Sequence, residues 1–311
     1  MVSRREVIVY GGVGLASLLS SPLRAVAQQK NCLVFGLIPA EDPRSMIEQF
    51  TPMAKWMEKE MGRCIQLFTA TDYTGVIEAM RAKKVDLAWF GAFSYVVARE
   101  RANAEAFAVG VDAKGSHTYR SVLVARSEVA KQLGIDKPFE GEEGMKRIAE
   151  ILNPHKKKFN FVFTDVNSTS GYAVPRYYMH RVGIDPRDYF KNVSFIGTHD
   201  AAQMAIRRDV ADIAADSDTS YNKMIEQGKI TRDTNVLIWL SPPIPSLPIA
   251  YRKDLPEDVK KALRETIVKV PKDVIAGWGK PVAYKIIPDK EYDVMLEVKR
   301  VIDDIRAKGG V

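Results

Sequence analysis

The sequence predicts an α/β protein of two doubly wound lobes joined by a two-segment connection. Apolar runs of five to seven residues alternate with longer amphipathic stretches, the signature of strands alternating with helices. That alternation occurs in two series, separated by a strand-like segment at 119–125 and closed by a second one at 237–240. The chain of 311 residues is long enough for two such lobes. The boundaries expected are 28–123 plus 238–311 for the first lobe and 124–237 for the second.

In chain order, the first 27 residues read as a leader rather than as fold. Ser3-Arg4-Arg5 precedes an apolar stretch at 7–23, and Arg24-Ala25-Val26-Ala27 supplies a small-x-small cleavage site. The paired arginines mark a twin-arginine signal, cleaved near Ala27, with export to the periplasm as the consequence. No later segment reaches the roughly 20 apolar residues that a membrane span needs.

The first strand is expected at 32–38, followed by a helix with Asp42 as cap and Pro43 in its first turn. Met46, Ile47, Phe50, Met53, Trp56 and Met57 form its apolar stripe. A second strand at 64–68 makes Cys32 and Cys64 the heads of neighbouring strands; a disulfide and two buried thiols are both open. Strand 85–90 and the helix after Gly91 complete the first series. The second series sets a helix near 144–152, a strand at 159–164, a strand at 193–196, a helix from Asp200 and a strand at 211–215. Such winding implies mainly parallel sheets covered on both faces. A final helix at 291–307 puts Val294, Met295, Val298, Val301, Ile302 and Ile305 on one face, read as its own docking face in a monomer.

Composition narrows the function classes. Apolar residues at 46% and charged residues at 27% exclude a disordered chain. Of the net charge of +7, Arg4, Arg5 and Arg24 against Glu6 account for two and leave +5 for 28–311. The basic residues are scattered, and Lys156-Lys157-Lys158 reads as a solvated turn, so small anions are favoured and nucleic acid is not.

The densest chemical signal is Asp165-Val166-Asn167-Ser168-Thr169-Ser170-Gly171-Tyr172, between a strand and a helix. A single hydroxyl suffices for a helix cap. Three in a row, Ser168, Thr169 and Ser170, can present hydroxyls together with the open N–H groups of a helix start to one anion. Tyr73 and Phe90 stand at strand-to-helix turns of the first series, on the sheet edge where open α/β sheets bind ligands. Core packing is the other reading for Phe90. His199, at the start of a helix on the same edge, is a candidate anion donor. Asp216 is a candidate acceptor for a ligand P–OH or ammonium group, with helix capping as the alternative. Asp216-Ser217-Asp218-Thr219 is no calcium loop, because it has no glycine at the sixth position and Gln227 in place of the closing glutamate. No cofactor or metal motif is present. Ser168 and Ser170 have no base beside them in the sequence, so no enzyme is expected.

Four blocks together resemble the phosphonate-binding protein family of ABC importers, which includes phosphite and hypophosphite binders. They are Thr71-Asp72-Tyr73-Thr74-Gly75, Val85-Asp86-Leu87-Ala88-Trp89-Phe90-Gly91, Asn167-Ser168-Thr169-Ser170-Gly171, and Ser241-Pro242-Pro243-Ile244-Pro245-Ser246-Leu247-Pro248. The resemblance implies a type II periplasmic binding fold that closes on a small phosphorus oxyanion and delivers it to a membrane permease. It implies oxyanion contacts from Tyr73, Ser168, Thr169, Ser170 and His199, and an aromatic at Phe90 where aminoalkylphosphonate binders carry a tyrosine. Those binders hold the ligand amine with two acids, and the matching positions here are Thr219 and Leu247. Phosphite, methylphosphonate or phosphate is therefore expected over 2-aminoethylphosphonate. The alternative role is an oxyanion sensor, for phosphite or arsenite, that signals to a membrane histidine kinase.

Overall fold

The computed structural model describes residues 32–311, so the leader expected at 1–27 lies outside the described residues. Two six-stranded sheets form the core of the two lobes. The first has the order Ala283–Ile286, Ala104–Val111, Pro248–Arg252, Leu87–Trp89, Leu33–Leu37, Ile65–Thr69. The second has the order Phe139–Glu140, Asn235–Leu240, Ser121–Arg126, Ile213–Ser217, Asn160–Phe163, Asn192–Phe195.

Only part of each sheet is parallel. Leu33–Leu37 pairs in parallel with both of its neighbours, and in the second sheet Asn160–Phe163 pairs in parallel with Ile213–Ser217 on one side and Asn192–Phe195 on the other. The strands that enter and leave each lobe run antiparallel to their neighbours, except that Asn235–Leu240 is parallel to the edge strand Phe139–Glu140; this corrects the expectation of mainly parallel sheets. A chain that crosses between lobes twice must insert a returning strand into each sheet, and that strand has to run backwards.

The two crossings pair with each other. Thr118–Tyr119 and Ile244–Pro245 form a two-stranded antiparallel ribbon, with Tyr119 opposite Ile244. Ser121–Arg126 and Asn235–Leu240 on its far side belong wholly to the second sheet, so the expected cuts at 123/124 and 237/238 fall inside its strands.

Pleat alternation divides the second lobe's core. Leu123, Ala125, Phe161 and Phe163 join the large core shared with the first lobe, while Val122, Val124 and Val162 pack with Ala202, Ile206 and Tyr221 on the opposite face. Both faces are thereby covered. Cys32 and Cys64 form a disulfide at the heads of adjacent parallel strands, where Leu33 stands opposite Ile65.

The C-terminal helix begins at Val294 rather than at 291, after a tight turn at Asp289–Tyr292. Its buried stripe is Met295, Val298, Ile302 and Ile305; Val294, expected on that face, is 63% exposed. The helix packs on Ala92–Ala102 of the first lobe and on Val174–Arg181 of the second, so it spans both lobes rather than rejoining the first alone. No helix among the described residues is long and apolar enough to cross a membrane.

Candidate anion site

The hydroxyl turn is built by local chemistry. Asp165 follows the strand Asn160–Phe163 and closes an Asx turn, its Oδ1 accepting the Asn167 N–H at 2.7 Å. Ser168 caps the next segment, its Oγ accepting the Gly171 N–H at 3.1 Å. Thr169–Ala173 then forms one wide turn that runs into helix Val174–Arg181. Gly171 is required because its backbone presses on the preceding strand: a Cβ there would overlap Thr164 Oγ1. Thr164 N–H donates to Gly171 O at 3.0 Å, and Ser121 Oγ donates to Ser170 O at 2.6 Å, which locks the turn onto the sheet edge.

His199 and Asp216 form a single buried unit beneath this turn. Thr198 caps helix His199–Arg207, which puts His199 in its first turn. The ring sits with Nε2 3.2 Å from Ser168 Oγ and with Nδ1 hydrogen-bonded to Asp216 Oδ1. Gln203 Nε2 donates to the other Asp216 oxygen, and Gln203 Oε1 accepts from Asn235 Nδ2 at 2.8 Å. Burial pushes the Asp216 carboxyl up, and the hydrogen-bonded His199 and Gln203 pull it back down. With both oxygens occupied, Asp216 stands behind His199 and orients it. Asp216, expected as an acceptor for a ligand, here accepts from His199 and Gln203. The arrangement also gives Ser168 the base partner that the linear sequence lacked, 31 positions away.

The first lobe closes over the same place. Asp165 Oδ2 accepts the N–H of Tyr73 at 3.3 Å, at the start of helix Tyr73–Arg81, and Asn167 Nδ2 donates to Thr74 Oγ1 at 2.9 Å. Phe93 N–H, in the first turn of helix Ala92–Ala102, donates to Thr169 Oγ1 at 2.9 Å. A Cβ on Gly91 would come within 2.8 Å of that same oxygen, so the approach of the two lobes depends on this glycine. His199 N–H donates to Ala40 O at 2.9 Å, and Lys223 Nζ binds Glu41 at 2.6 and 2.7 Å across the mouth of the cleft.

Of the residues expected at the site, Tyr73, Ser168, Thr169, Ser170 and His199 converge, all of them buried. Burial pushes the Tyr73 phenol well above its usual value, with Asp165 adding to the rise and the Ser168 hydroxyl beside it acting the other way. Phe90 is wholly buried in the hydrophobic core, as its packing reading has it. The contact from its turn is made by Gly91 and Phe93 instead.

Sequence reasoning missed two residues. Tyr119, in the crossing ribbon, is raised by burial, and the hydroxyls of Ser170 and Thr169 beside it counteract that rise. Both phenols are therefore neutral hydrogen-bond donors at physiological pH. Trp278 lies edge-on to the His199 ring, with centroids 4.7 Å apart. Its signal in the sequence was an isolated Gly277-Trp278-Gly279 in a stretch with no apolar period.

Ser170 Oγ is the informative atom. It is buried and reaches no partner in hydrogen-bonding geometry, although Tyr119 stands beside it. Thr164 Oγ1, pressed against Gly171, is the other buried hydroxyl without a partner among the described residues; Ser170 Oγ differs in standing beside the Tyr119 hydroxyl at the site, where an acceptor can meet it. The site thus offers hydroxyls, an imidazole and a helix start to a compact anion.

Two lobes on a paired crossing, closed over such a pocket, define the class of two-lobed solute-binding proteins. Residues 35–292 match the family described as ABC transporter, phosphonate, periplasmic substrate-binding protein, and the chain belongs to that family. It is 34% identical over 245 residues to the phosphonates-binding periplasmic protein of Escherichia coli K12, covering 78% of this chain and 67% of that protein. A binding protein component of an ABC phosphonate transporter from Pseudomonas aeruginosa superposes with a TM-score of 0.74 at 28% identity, over 88% of this chain and 86% of that one. PhnD1 from Prochlorococcus marinus, in complex with methylphosphonate, shares the fold at a TM-score of 0.74 and 22% identity, over 88% and 98% of the two chains.

Proposed function

We propose that this chain captures a small phosphorus oxyanion in the periplasm and hands it to the permease of an ABC importer. The unpaired Ser170 Oγ, set among Tyr73, Tyr119, Ser168 and His199, carries the reading. Asp216 holds Nδ1 of His199, which leaves Nε2 for Ser168 and the anion. Ser168 Oγ already accepts the Gly171 N–H, so its own proton is available to His199 Nε2 or to the ligand. The contacts that span the lobes describe the closed half of a binding cycle, with opening and closing about the ribbon of Thr118–Tyr119 and Ile244–Pro245. The leader read at 1–27 and the family's periplasmic members support export.

The ligand favoured is phosphite, methylphosphonate or phosphate. Thr219 and Leu247, at the positions matching the amine-binding acids, carry no carboxylate; they line one small cavity whose acid, Asp112, accepts the Lys114 and Ser116 N–H groups. Arsenite recognition needs a thiol, and both cysteines of the chain are spent in the disulfide.

A thermal-shift panel on residues 28–311 tests the reading. A ligand present at about 100 times its Kd adds about 2.7 kcal/mol, a shift of several degrees. Phosphite, methylphosphonate or phosphate should give that shift, sulfate and arsenite none. A flat response to every phosphorus compound would remove the proposal.

A further inference from the structure

We infer that Trp278 is a partition that separates the anion site from an outer cavity and so restricts the ligand to an oxyanion with little or no substituent. The inference rests on the proposed oxyanion function and adds to it a residue that sets ligand size. Beside the site lies a cavity of about 470 Å³ between the lobes, lined among others by Tyr119, Asp218, Thr219 and Trp278. That volume is ample for a small organic molecule. Neither the hydroxyls of Ser168, Thr169 and Ser170 nor the His199 ring lines it. Trp278 belongs to both places, since it walls the cavity and also packs on the site, 4.7 Å from the His199 ring and 6.5 Å from that of Tyr119.

The loop is shaped to hold the indole there. Gly277 and Gly279 flank it with φ of 136° and 74°, which only glycine adopts without strain. Trp89 of the first lobe's sheet meets the indole edge-on at 6.1 Å. On the other side Lys280 pairs with Glu226 of the second lobe at 2.6 Å, an exposed contact between the loop and the facing lobe. A substituent on the phosphorus directed at the cavity would have to displace the indole from His199.

The cavity behind the partition has its own charge preference. Lys280 is matched by Glu226 and Lys223 by Glu41, whereas no Lys or Arg among the described residues pairs with Asp218. Removing the indole would therefore join the anion site to a space with one carboxylate that no Lys or Arg neutralises, which suits a ligand carrying an ammonium tail.

Isothermal titration of the wild type, Trp278→Ala and Trp278→Leu with phosphite, methylphosphonate and 2-aminoethylphosphonate tests this. The wild type should prefer phosphite or methylphosphonate to the aminoalkyl compound by about tenfold or more, the discrimination that steric exclusion of a few atoms supports. Both variants should narrow that ratio by about tenfold, chiefly through gained affinity for 2-aminoethylphosphonate. The leucine variant keeps an apolar filler on the loop, so the comparison survives a misfolded alanine variant. An unchanged ratio in a variant that still binds a small anion would overturn the partition alone, as would a wild type that binds 2-aminoethylphosphonate as tightly as phosphite. A wild type that binds none of the three, and no phosphate either, would remove the functional reading, and the partition with it.

Discussion

Thr169→Val isolates the closing of the lobes from the stability of either one. Thr169 Oγ1 accepts the Phe93 N–H at 2.9 Å, and both residues are buried. Valine keeps the shape and removes the acceptor. In the closed form the Phe93 N–H is then buried without a partner, which costs about 1–3 kcal/mol. In the open form water takes that N–H, so this cost falls on the closed, ligand-bound state, as does the loss of the hydrogen bond that Thr169 would give an oxyanion. Ligand affinity should drop about 5- to 150-fold, since about 1.4 kcal/mol corresponds to a factor of ten. Urea unfolding of the ligand-free protein should move by less than about 0.5 kcal/mol, the range of substitutions that break no native contact. Thr169→Ser, which keeps the hydroxyl, should retain most of the affinity. Isothermal titration and equilibrium unfolding read the two quantities separately. A loss of ligand-free stability equal to the expected loss of binding, with affinity untouched, would refute the hinge argument, because the contact would then be permanent.

Two further outcomes follow from residues outside the oxyanion contacts. Replacing Cys32 and Cys64 together by serine opens a link that spans 32 positions, and the loop-entropy relation puts the loss at about 3–4 kcal/mol, read as a lower urea midpoint with ligand affinity preserved. Asp218 is raised by burial, so the folded state holds its proton to higher pH than the unfolded chain does. Its stabilising share is complete below the ordinary carboxylate value near pH 4 and is lost as pH rises through the raised value. Asp218→Asn should therefore gain stability relative to the wild type between about pH 4 and pH 7 by calorimetry, and the opposite trend would show that its N–H and hydroxyl donors outweigh burial.

What the sequence reveals follows the range of the interaction. The Asp42 cap with Pro43 and the glycine after the three hydroxyls are local signals, and each element begins where its signal lies. Ser168, Thr169, Ser170, Tyr73 and His199 were legible because they occupy strand-to-helix turns, which winding brings to one sheet edge. The pairing of His199 with Asp216 was not, because which face of Ile213–Ser217 carries the carboxylate depends on its pairing with Ser121–Arg126. Tyr119 read as the start of a strand and became a site residue through the ribbon that it forms with Ile244. Trp278 was invisible as a site residue because its partners come from three distant parts of the chain. The start of the C-terminal helix was read about one turn too early, since nothing in 291–294 marks the change from the tight turn to the helix.

Ser170→Ala tests the central claim most directly. The hydroxyl is buried and unpaired in the protein, so its removal should leave the ligand-free melting temperature equal or higher. If it serves a bound oxyanion, the variant loses one charge-assisted hydrogen bond, and affinity for phosphite or methylphosphonate should fall about 10- to 150-fold by isothermal titration. Unchanged affinity together with a lower ligand-free melting temperature would contradict the account, because Ser170 would then support the turn and not the ligand.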